Sequence, residues 1–409
     1  MSTGTKMRPF GKTIPITEAL SLAEQASVPL ARTEQVDLDN ALGRVLARGI
    51  VADQDVPPFD RAAMDGYAVV AESTSGATRD EPRRLACVET VHTGGVPSQA
   101  IGTGQCTQIA TGAPVPDGAD AVVMVEETER AGDDVSVFSP VSPRQHIGRR
   151  GADIASGTEL LGIGDHLTPS RVGSIAALGI AEVEVYAKPR VAILSTGNEI
   201  IAPGQLLGPG QIYDINRYSL GAVIREHGGI PLPLPTAPDN VDELGATVDA
   251  CLAEDADILV FSGGSSVGER DLTIDVLRLK GEVVFHGIAV KPGKPTVLGR
   301  IGDTPVLGMP GYPTSCLSNA YLLLMPMLRR IARLPAHRFR SVTVPTGQRF
   351  KSVAGRHQFY SVRVVDGEAV GAFKASGDIT SMSLADGYIE IPTGTDLVEQ
   401  GEVVEVKLF

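Results

Sequence analysis

The sequence contains no tryptophan, only 4% aromatic residues and four cysteines. Those cysteines are scattered along the chain and show no paired spacing typical of metal ligands; they are Cys87, Cys106, Cys251 and Cys316. We therefore expect reduced thiols in the core and neither a disulfide framework nor a structural zinc site. Cys316 follows a candidate loop, but a buried position in a helix is the favoured interpretation.

Basic residues and long apolar runs are also scarce. Lys and Arg number 36 against 49 Asp and Glu, which gives a net charge of −13. This balance disfavours a protein that binds duplex nucleic acid, although a small anionic ligand fits if basic residues are concentrated locally. The longest apolar run, 317–328, is interrupted by polar residues and by Pro326. We expect no bilayer-spanning segment, no secretory signal at residues 1–20, no membrane partner and a cytoplasmic location.

The bulk composition is that of a globular protein with several domains. At 409 residues the chain is too long for one ordinary core, so two to four domains are expected. Hydrophobic residues make up 43% and charged residues 21% of the chain. The 46 glycines and 28 prolines are separated by apolar runs, which indicates many turns and short strands rather than disorder.

The first half of the chain reads as a helix, short strands and a β domain. A helix is predicted from Thr17 to just before Pro29, and short strands are predicted at 36–38 and 45–51. From 85 to 143 a strand–turn–strand pattern rich in Val and Gly indicates a separate β domain. Thr168 and Pro169 form a good helix start, since Thr can cap the first turn and Pro fits its first position.

Residues 189–334 alternate between strand and helix patterns, which predicts a parallel α/β sheet. Three of the predicted strands end in polar loops, at 195–199, 262–271 and 310–313. Because ligands collect at the carboxyl ends of the strands in such sheets, we expect these loops to converge on one site. After Pro335 the pattern changes to period two, which predicts a small β barrel or sandwich with no catalytic requirement.

The middle loop has the composition of an anion site. It runs from Phe261 to Thr273 between a strand and a helix, where small residues let backbone N–H groups approach an anion. Its three serines add hydroxyl donors, Arg270 adds a positive charge, and Asp271 requires a nearby proton or metal ion. A glycine-rich turn with an N-capping acid, without any ligand, explains the same residues about equally well.

Two lysines and a cluster of charged residues add further candidates. Lys291 and Lys294 are held by Pro-Gly turns, which suits a fixed anion, whereas an exposed hairpin with solubilising lysines is the alternative. Asp60, Arg61, Asp65 and Tyr67 lie close together in the sequence, and a simple hairpin with a capping aspartate accounts only for Asp65. Arg149 and Arg150 precede Asp153, but paired surface arginines are a weak signal.

Several separated motifs together resemble the MoeA family of molybdopterin molybdenumtransferases, which is related to the C-terminal part of gephyrin. The motifs cover essentially the whole chain and lie at 59–69, 111–116, 195–199, 212–216, 262–271, 290–295 and 309–313. The glycine loop alone is shared with relatives that adenylylate molybdopterin or hydrolyse nucleotides. The Met64-Asp-Gly-Tyr67 segment and the order of the motifs are more specific.

The resemblance implies a multidomain α/β plus β architecture. Residues 1–52 and 148–188 would form a split helical linker domain with short strands, and 53–147 a β domain. Residues 189–334 would form a MogA-like parallel α/β molybdopterin-binding domain, and 335–409 a C-terminal β barrel. It also implies an elongated homodimer, with each active site between the α/β domain of one subunit and the β domain of the other.

The implied reaction converts adenylylated molybdopterin and molybdate into molybdenum cofactor with release of AMP, assisted by Mg²⁺. Transient contacts with the molybdopterin adenylyltransferase and with molybdoenzymes are compatible with it. The residues expected to act in catalysis are Asp65, Thr111, Asp153, Glu199, Asp239, Asp271, Lys291 and Lys294. Of these, Glu199, Asp239 and Asp271 would bind Mg²⁺. The residues expected to bind the substrate are Ser262, Gly263, Gly264, Ser265, Ser266, Pro310, Gly311, Tyr312 and Pro313.

Two departures from the common family pattern leave alternatives open. Tyr312 stands where many bacterial members have Asn, and Ser265-Ser266 replaces the commoner Val-Ser. A branch that uses tungstate is one alternative, and a non-catalytic molybdopterin-binding dimeric scaffold is another. Adenylylation of molybdopterin by the α/β domain alone is a third, which the attached β domain disfavours.

Overall fold

A computed structural model describes residues 13–234, 240–263 and 272–409. By its internal contacts the chain divides into two compact units. The first unit comprises residues up to Glu34, Gly43–Val45 and Val185–Phe409, and the second comprises Gln35–Leu42 and Leu46–Glu184. Each unit contains a six-stranded sheet and a hydrophobic core of its own.

The helices are α1 (Ile16–Ala26), α2 (Pro169–Ala177), α3 (Asn216–Glu226), α4 (Val241–Ala253), α5 (Leu272–Lys280), α6 (Pro313–Asn319), α7 (Met325–Ile331) and α8 (Thr380–Ser383). The strands up to residue 186 are β1 (Thr33–Asp37), β2 (Ile50–Val51), β3 (Arg61–Ala62), β4 (Gly66–Val69), β5 (Arg83–Val91), β6 (Gln105–Ile109), β7 (Ala121–Met124), β8 (Thr128–Ala131), β9 (Asp134–Val137), β10 (Ile147–Gly148), β11 (Glu159–Leu161) and β12 (Glu182–Tyr186).

The later strands are β13 (Arg190–Ser195), β14 (Ile200–Ile201), β15 (Ile212–Tyr213), β16 (Ile230–Pro233), β17 (Ile258–Ser262), β18 (Glu282–His286), β19 (Val290–Lys291), β20 (Val297–Ile301) and β21 (Thr304–Met309). The C-terminal strands are β22 (Ser341–Pro345), β23 (Phe350–Lys351), β24 (His357–Val365), β25 (Glu368–Gly371), β26 (Gly387–Ile391), β27 (Leu397–Val398) and β28 (Val403–Leu408).

The second unit is built around a six-stranded sheet in the order β7-β4-β6-β5-β9-β8. Most of its neighbouring strands are antiparallel, whereas β5 and β6 are parallel. Its core consists mainly of small and β-branched residues, among them Val69, Val123 and Val135. The predicted start of α2 is confirmed, because Thr168 Oγ1 accepts a hydrogen bond from Arg171 N with Pro169 in the first turn.

The first unit contains the predicted α/β sheet, in the order β16-β13-β17-β21-β20-β18. The first four strands are parallel, but β20 and β18 are antiparallel, so the sheet is mixed rather than wholly parallel. One face packs against α1, α3, α6 and α7, and the other against α4 and α5. Both faces are therefore buried, and the central strands are continuous apolar runs.

Local sequence signals explain several of these elements. Asn240 caps α4, because its Oδ1 accepts from Asp242 N at 2.9 Å and its Nδ2 donates to Glu243 Oε1 at 3.2 Å. Asp366 and Gly367 both have positive φ and join β24 to β25, as the Asp-Gly turn predicts.

Three boundaries differ from the sequence prediction. The strand predicted at 45–51 is wrong except at Ile50–Val51, since Val45 O accepts from Tyr186 N while Leu46 N donates to Asp165 O, so no single ladder forms. β1 begins at Thr33 and ends before a 3₁₀ turn in which Asp37 Oδ1 accepts from Asn40 N. The long helix predicted at 314–334 contains a π-helical turn at Ala320–Leu324, just before Pro326.

The C-terminal strands form a sheet in the order β19-β24-β26-β28-β22, with β25 also paired to β24, and a separate pair β23-β27.

None of the helices in the described part of the chain combines the length and apolar character that a bilayer crossing requires. All four cysteines are free and buried, as predicted.

Candidate functional site

The carboxyl ends of three neighbouring strands bring the predicted loops together. Ser195 at the end of β13 lies opposite Ser262 at the end of β17, and Ser262 lies opposite Met309 at the end of β21. Thr196 N continues this pairing by donating to Ser262 O at 3.0 Å. The predicted convergence of the three loops is therefore confirmed for their described residues, and we call this region the carboxyl edge.

Backbone segments approach closely at the carboxyl edge because of its glycines. Gly263 has a φ of +100°, and a Cβ there would lie 2.6 Å from Thr196 O. A Cβ on Gly311 would lie 3.6 Å from Gly263 Cα. Only glycine fits position 263, because the backbones at the ends of β13 and β17 approach each other closely there.

Several buried oxygens at the carboxyl edge have no hydrogen-bond partner among the residues that the structure describes. Within the described part of the chain no hydrogen-bond partner is found for Ser195 Oγ, Thr196 Oγ1, Asp214 Oδ2 and Asn216 Oδ1. Each of these residues is less than 10% exposed. Buried polar atoms are normally hydrogen-bonded, so a set of them at the end of a sheet indicates a place where a polar ligand or water binds.

Asp214 and Asn216 lie just before and at the start of α3, and Asn216 joins that start to the loop after β21. Asp214 Oδ1 accepts from Arg217 N at 3.0 Å, and Asn216 Nδ2 donates to Gly311 O at 2.9 Å. Both residues belong to the 212–216 motif, but no role was predicted for them from the sequence. Their polar character within an otherwise apolar motif was the available signal.

Cys316 lies beneath this edge and is not a reactive group. Burial raises the pKa of its thiol to about 12; the Ser262 hydroxyl that bonds to it opposes the rise, and the charge of Asp214 adds to it. A thiol with such a pKa is protonated at neutral pH and is a poor nucleophile. The predicted buried position in a helix is confirmed.

Glu199 follows β13 and folds back over the backbone of its own loop. A Cβ on Gly197, which has a φ of +136°, would lie 2.8–2.9 Å from the three atoms of the Glu199 carboxylate. The carboxylate is exposed, and the backbone of Glu199 is fixed because its O accepts from Ile212 N at 2.8 Å. Gly197 thus leaves the space that the carboxylate occupies.

The two predicted lysines lie on one segment that is held by backbone bonds. Lys291 is in β19, which pairs with β24, and Lys294 O accepts from Ile288 N and Thr296 N. Both lysine side chains are half-buried. In this pairing His357 lies opposite Val290, and Gln358 lies opposite Lys291.

The segment around Gly377 also reaches the loop after β21. Thr314 N donates to Ser376 O at 3.1 Å, and Thr314 Oγ1 donates to Asp378 O at 2.8 Å. The Tyr312 ring next to it is 67% exposed. Sequence periodicity indicated only a β domain here, since contacts of this range leave no local pattern.

Asp65 and Thr111 form a second site feature, within the other unit. Asp65 Oδ1 accepts from Thr111 N at 2.6 Å and from Thr111 Oγ1 at 2.8 Å. These hydrogen bonds lower the pKa of the Asp65 carboxyl group, with the backbone bond as the largest cause. The second carboxylate oxygen is available to solvent or a ligand, since Asp65 is exposed.

Asp60 and Arg150 have structural partners within the same unit. Asp60 accepts from Arg144 Nη1 at 2.7 Å and from Arg150 N at 2.8 Å. Arg150 also donates to Asp55 Oδ2 at 2.6 Å. Asp60 and Arg150 therefore join the segment 55–60 to the segment 144–150.

Asp153 is exposed on the turn that follows Arg150, and its backbone N donates to Val56 O. The structure thus gives its backbone a role in the turn, and the catalytic role predicted for its side chain stays a prediction.

Some predicted site residues lie outside the described part of the chain. They are Asp239, Gly264, Ser265, Ser266 and Asp271. Among the residues that the structure describes, no group of three or more His, Cys, Asp and Glu side chains could hold a metal ion. Glu199 is the described member of the predicted magnesium set.

Comparison with known proteins covers the chain almost from end to end. Three family models match, described as the MoeA N-terminal region (domains I and II) at 14–179, a probable molybdopterin binding domain at 192–330 and the MoeA C-terminal region (domain IV) at 343–409. A molybdopterin molybdenumtransferase 2 of Mycobacterium tuberculosis is 37% identical over 91% of this chain and 94% of its own length. A molybdopterin molybdenumtransferase of Bacillus subtilis is 33% identical over 92% of this chain and 90% of its own length.

A solved structure of a relative has a similar architecture. The molybdopterin biosynthesis MoeA protein of Pyrococcus horikoshii matches with a TM-score of 0.84 and 40% sequence identity. The match covers 97% of this chain and 99% of the other. The α/β plus β fold class predicted from the sequence is confirmed by this match and by the sheets described above.

Proposed function

The chain belongs to the MoeA family of molybdopterin molybdenumtransferases, as its motifs predicted, and we propose that it inserts molybdate into adenylylated molybdopterin with release of AMP. It is an enzyme of molybdenum cofactor biosynthesis. The observation that carries the detailed proposal is the carboxyl edge, where four buried oxygens lack a partner among the described residues.

At the carboxyl edge the Ser195 and Thr196 hydroxyls would donate to a molybdopterin phosphate. Ser262 and Gly263 begin the loop that would hold the phosphate, and Pro310 to Pro313 would border the same site. Thr196, Asp214 and Asn216 add polar atoms that would orient the substrate. Such pre-positioned groups at the end of a parallel sheet are typical of ligand sites in this class of fold.

Lys291 and Lys294 would hold molybdate or the phosphates of the substrate. Exchange of molybdate oxo groups for two thiolates consumes protons, and cleavage of the pyrophosphate bond requires neutralisation of negative charge. Half-buried ammonium groups on a fixed segment provide that charge where molybdate would bind.

The exposed Glu199 carboxylate in the loop after β13 would suit Mg²⁺, which takes one or two carboxylates together with substrate phosphates. Glu199 would hold the ion with Asp239 and Asp271. When bound, the ion would neutralise the charge on the substrate phosphates. In this arrangement Gly197 is required because its missing side chain leaves room for the Glu199 carboxylate.

A second copy of the chain would complete the active site. Asp65 and Thr111 of one subunit would face the carboxyl edge of its partner, with the free carboxylate oxygen of Asp65 directed to the substrate. Exposed apolar side chains on α3 and the segment before it support a partner there: Leu206 is 97%, Ile212 56% and Tyr218 54% exposed. Large apolar side chains exposed in one region are typical of protein–protein contacts.

Tyr312, which departs from the common family pattern, would most directly affect which oxyanion the protein prefers. Its exposed ring lies at the loop that would border the pocket. We propose molybdate as the substrate, and tungstate is the alternative that competition between the two oxyanions decides.

The proposal is tested by reconstitution. Purified protein with Mg²⁺, molybdate and adenylylated molybdopterin should yield cofactor that activates a molybdenum-dependent apo-enzyme. Binding of the substrate without any conversion, with molybdate or tungstate, would favour the scaffold instead. Formation of adenylylated product from ATP and unadenylylated molybdopterin would favour the adenylyltransferase, and the proposed insertion predicts none.

A further inference from the structure

A buried amide holds the segment Lys291–Lys294, which we call the lysine loop. Asn319 at the end of α6 is fully buried. Its Nδ2 donates to Gly293 O at 2.8 Å and to Thr296 Oγ1 at 2.5 Å. Thr296 Oγ1 in turn donates to Gly293 O at 2.8 Å. Because the hydroxyl gives its proton to Gly293, it accepts from Asn319, so the amide nitrogen faces the loop.

The fit between Asn319 and Gly293 leaves no room for a side chain at position 293. Gly293 has a φ of +103°, and a Cβ there would lie 2.3 Å from Asn319 Nδ2 and 2.6 Å from Asn319 Oδ1. The end of the loop is also fixed, since Thr296 N and Ile288 N both donate to Lys294 O. The loop backbone is thus tied to the core helix through one side chain.

Asn319 carries an unfavourable feature that its packing does not explain. Its Oδ1 is buried, and no hydrogen-bond partner for it is found among the described residues. An unsatisfied buried acceptor is destabilising, and an apolar residue of similar size would avoid it. The donor function of the amide toward the lysine loop accounts for a polar residue at this position.

We propose that Asn319 is a positioning residue for oxyanion binding: it fixes the lysine loop so that Lys291 and Lys294 are pre-arranged for molybdate or phosphate. This inference rests on the proposed function in taking the lysines as the oxyanion ligands. Asn319 itself lies beneath the loop and acts only through it. Pre-arrangement increases affinity because less conformational entropy is lost when the anion binds.

The test uses two variants that remove the contact and one matched control. Asn319→Asp keeps the shape but sets a carboxylate oxygen against two oxygen atoms, and Thr296→Val removes the hydroxyl between them. Ser318→Ala is the control, because Ser318 is equally buried but its Oγ donates to Ser315 O within its own helix at 3.1 Å. All variants are made in the full chain.

Two measurements separate positioning from general stability. Calorimetric titration with molybdate alone measures oxyanion affinity, and hydrogen exchange of the Ile288 and Thr296 amides measures the order of the lysine loop. We expect both loop variants to bind molybdate about tenfold more weakly and to exchange these amides about tenfold faster. In turnover, KM for molybdate should rise more than kcat falls. Ser318→Ala should retain wild-type affinity and exchange, even at a lower Tm.

The outcomes are distinguishable from those that test the proposed function. Wild-type molybdate affinity in Thr296→Val, or an equal loss of affinity in Ser318→Ala, would overturn the role of Asn319. This holds even if Asn319→Asp fails to fold. A wild-type protein that releases no AMP, but whose molybdate affinity depends on Thr296 as described, would reject the insertion reaction and support the positioning role.

Discussion

Asp65 and Thr111 are joined by two hydrogen bonds to a single carboxylate oxygen, at 2.6 Å from the backbone N and 2.8 Å from Oγ1. One oxygen of Asp65 therefore holds the loop after β6, and in the proposed function the other would meet the substrate. The amide that Asp65→Asn introduces can preserve the first function through its carbonyl oxygen, but it lacks the negative charge.

For Asp65→Asn we expect turnover to fall at least about 100-fold while the folded structure is retained. The measurement is kcat for AMP release together with Tm. Glu89→Gln is the matched control, because Glu89 Oε1 also accepts from the backbone N and Oγ of one residue, Ser98. Full activity in Asp65→Asn would remove Asp65 from the mechanism.

Asp214 should show opposite effects on stability and activity. Its Oδ2 is buried without a partner in the described chain, while its Oδ1 accepts from Arg217 N. Asp214→Asn removes an uncompensated charge and keeps an acceptor for Arg217, so we expect about 1–2 kcal/mol of added stability. Substrate affinity should fall about tenfold or more if Oδ2 accepts from the substrate. Unchanged affinity by equilibrium binding would show that Asp214 is only structural.

Gly197→Ala tests the position of Glu199. The new Cβ would lie within 2.9 Å of the Glu199 carboxylate. Gly204→Ala is the control, because Gly204 also has a positive φ, +94°, but nothing lies within 4 Å of a Cβ there. Both variants should lose about 1–2 kcal/mol from the left-handed backbone. Only Gly197→Ala should require a higher Mg²⁺ concentration for half-maximal activity, and an equal requirement in both would contradict the role of Glu199.

His227 makes stability depend on pH. Burial is the main cause that lowers its pKa to about 4, and the neighbouring His337 and Arg329 add to the effect. The unfolded chain takes up a proton near pH 6.5 and the folded chain only near pH 4, so stability is fully present above pH 6.5 and falls between pH 6.5 and 4. The loss reaches about 3 kcal/mol for a shift of this size.

Denaturant unfolding from pH 8 to pH 4 measures this dependence. His227→Asn should flatten the curve between pH 6.5 and 4. Glu390→Gln should leave the dependence between pH 6.5 and 4.5 unchanged, because hydrogen bonding to His357 and Lys407 lowers the pKa of Glu390 to about 2 and its stabilisation is lost only below about pH 4.5. An unchanged slope in His227→Asn would contradict the assignment.

The parts of the fold that follow from local pattern were predictable from the sequence. The alternation of strand and helix places Ser195, Ser262 and Pro310 at one edge of a sheet, and the structure has them there. The cap at Asn240 and the turn at Asp366-Gly367 follow from short-range chemistry. Each of these features depends on neighbours close in sequence or on a rule of sheet topology.

The parts that depend on long-range register were not predictable. The antiparallel β18 and β20 look like any other apolar run, and nothing local places Gln358 opposite Lys291. The contact of Thr314 with Ser376 and Asp378 joins residues more than 60 positions apart. The same holds for Asn319, whose importance is visible only through its two bonds to the lysine loop.

The most direct test of the account is AMP release from adenylylated molybdopterin, measured with Mg²⁺ in the presence and absence of molybdate. The carboxyl edge and the lysine loop together predict release that depends on molybdate and is accompanied by stoichiometric uptake of molybdenum into the pterin product. Release at the same rate without an oxyanion, or the absence of release with both molybdate and tungstate, would contradict insertion at this site.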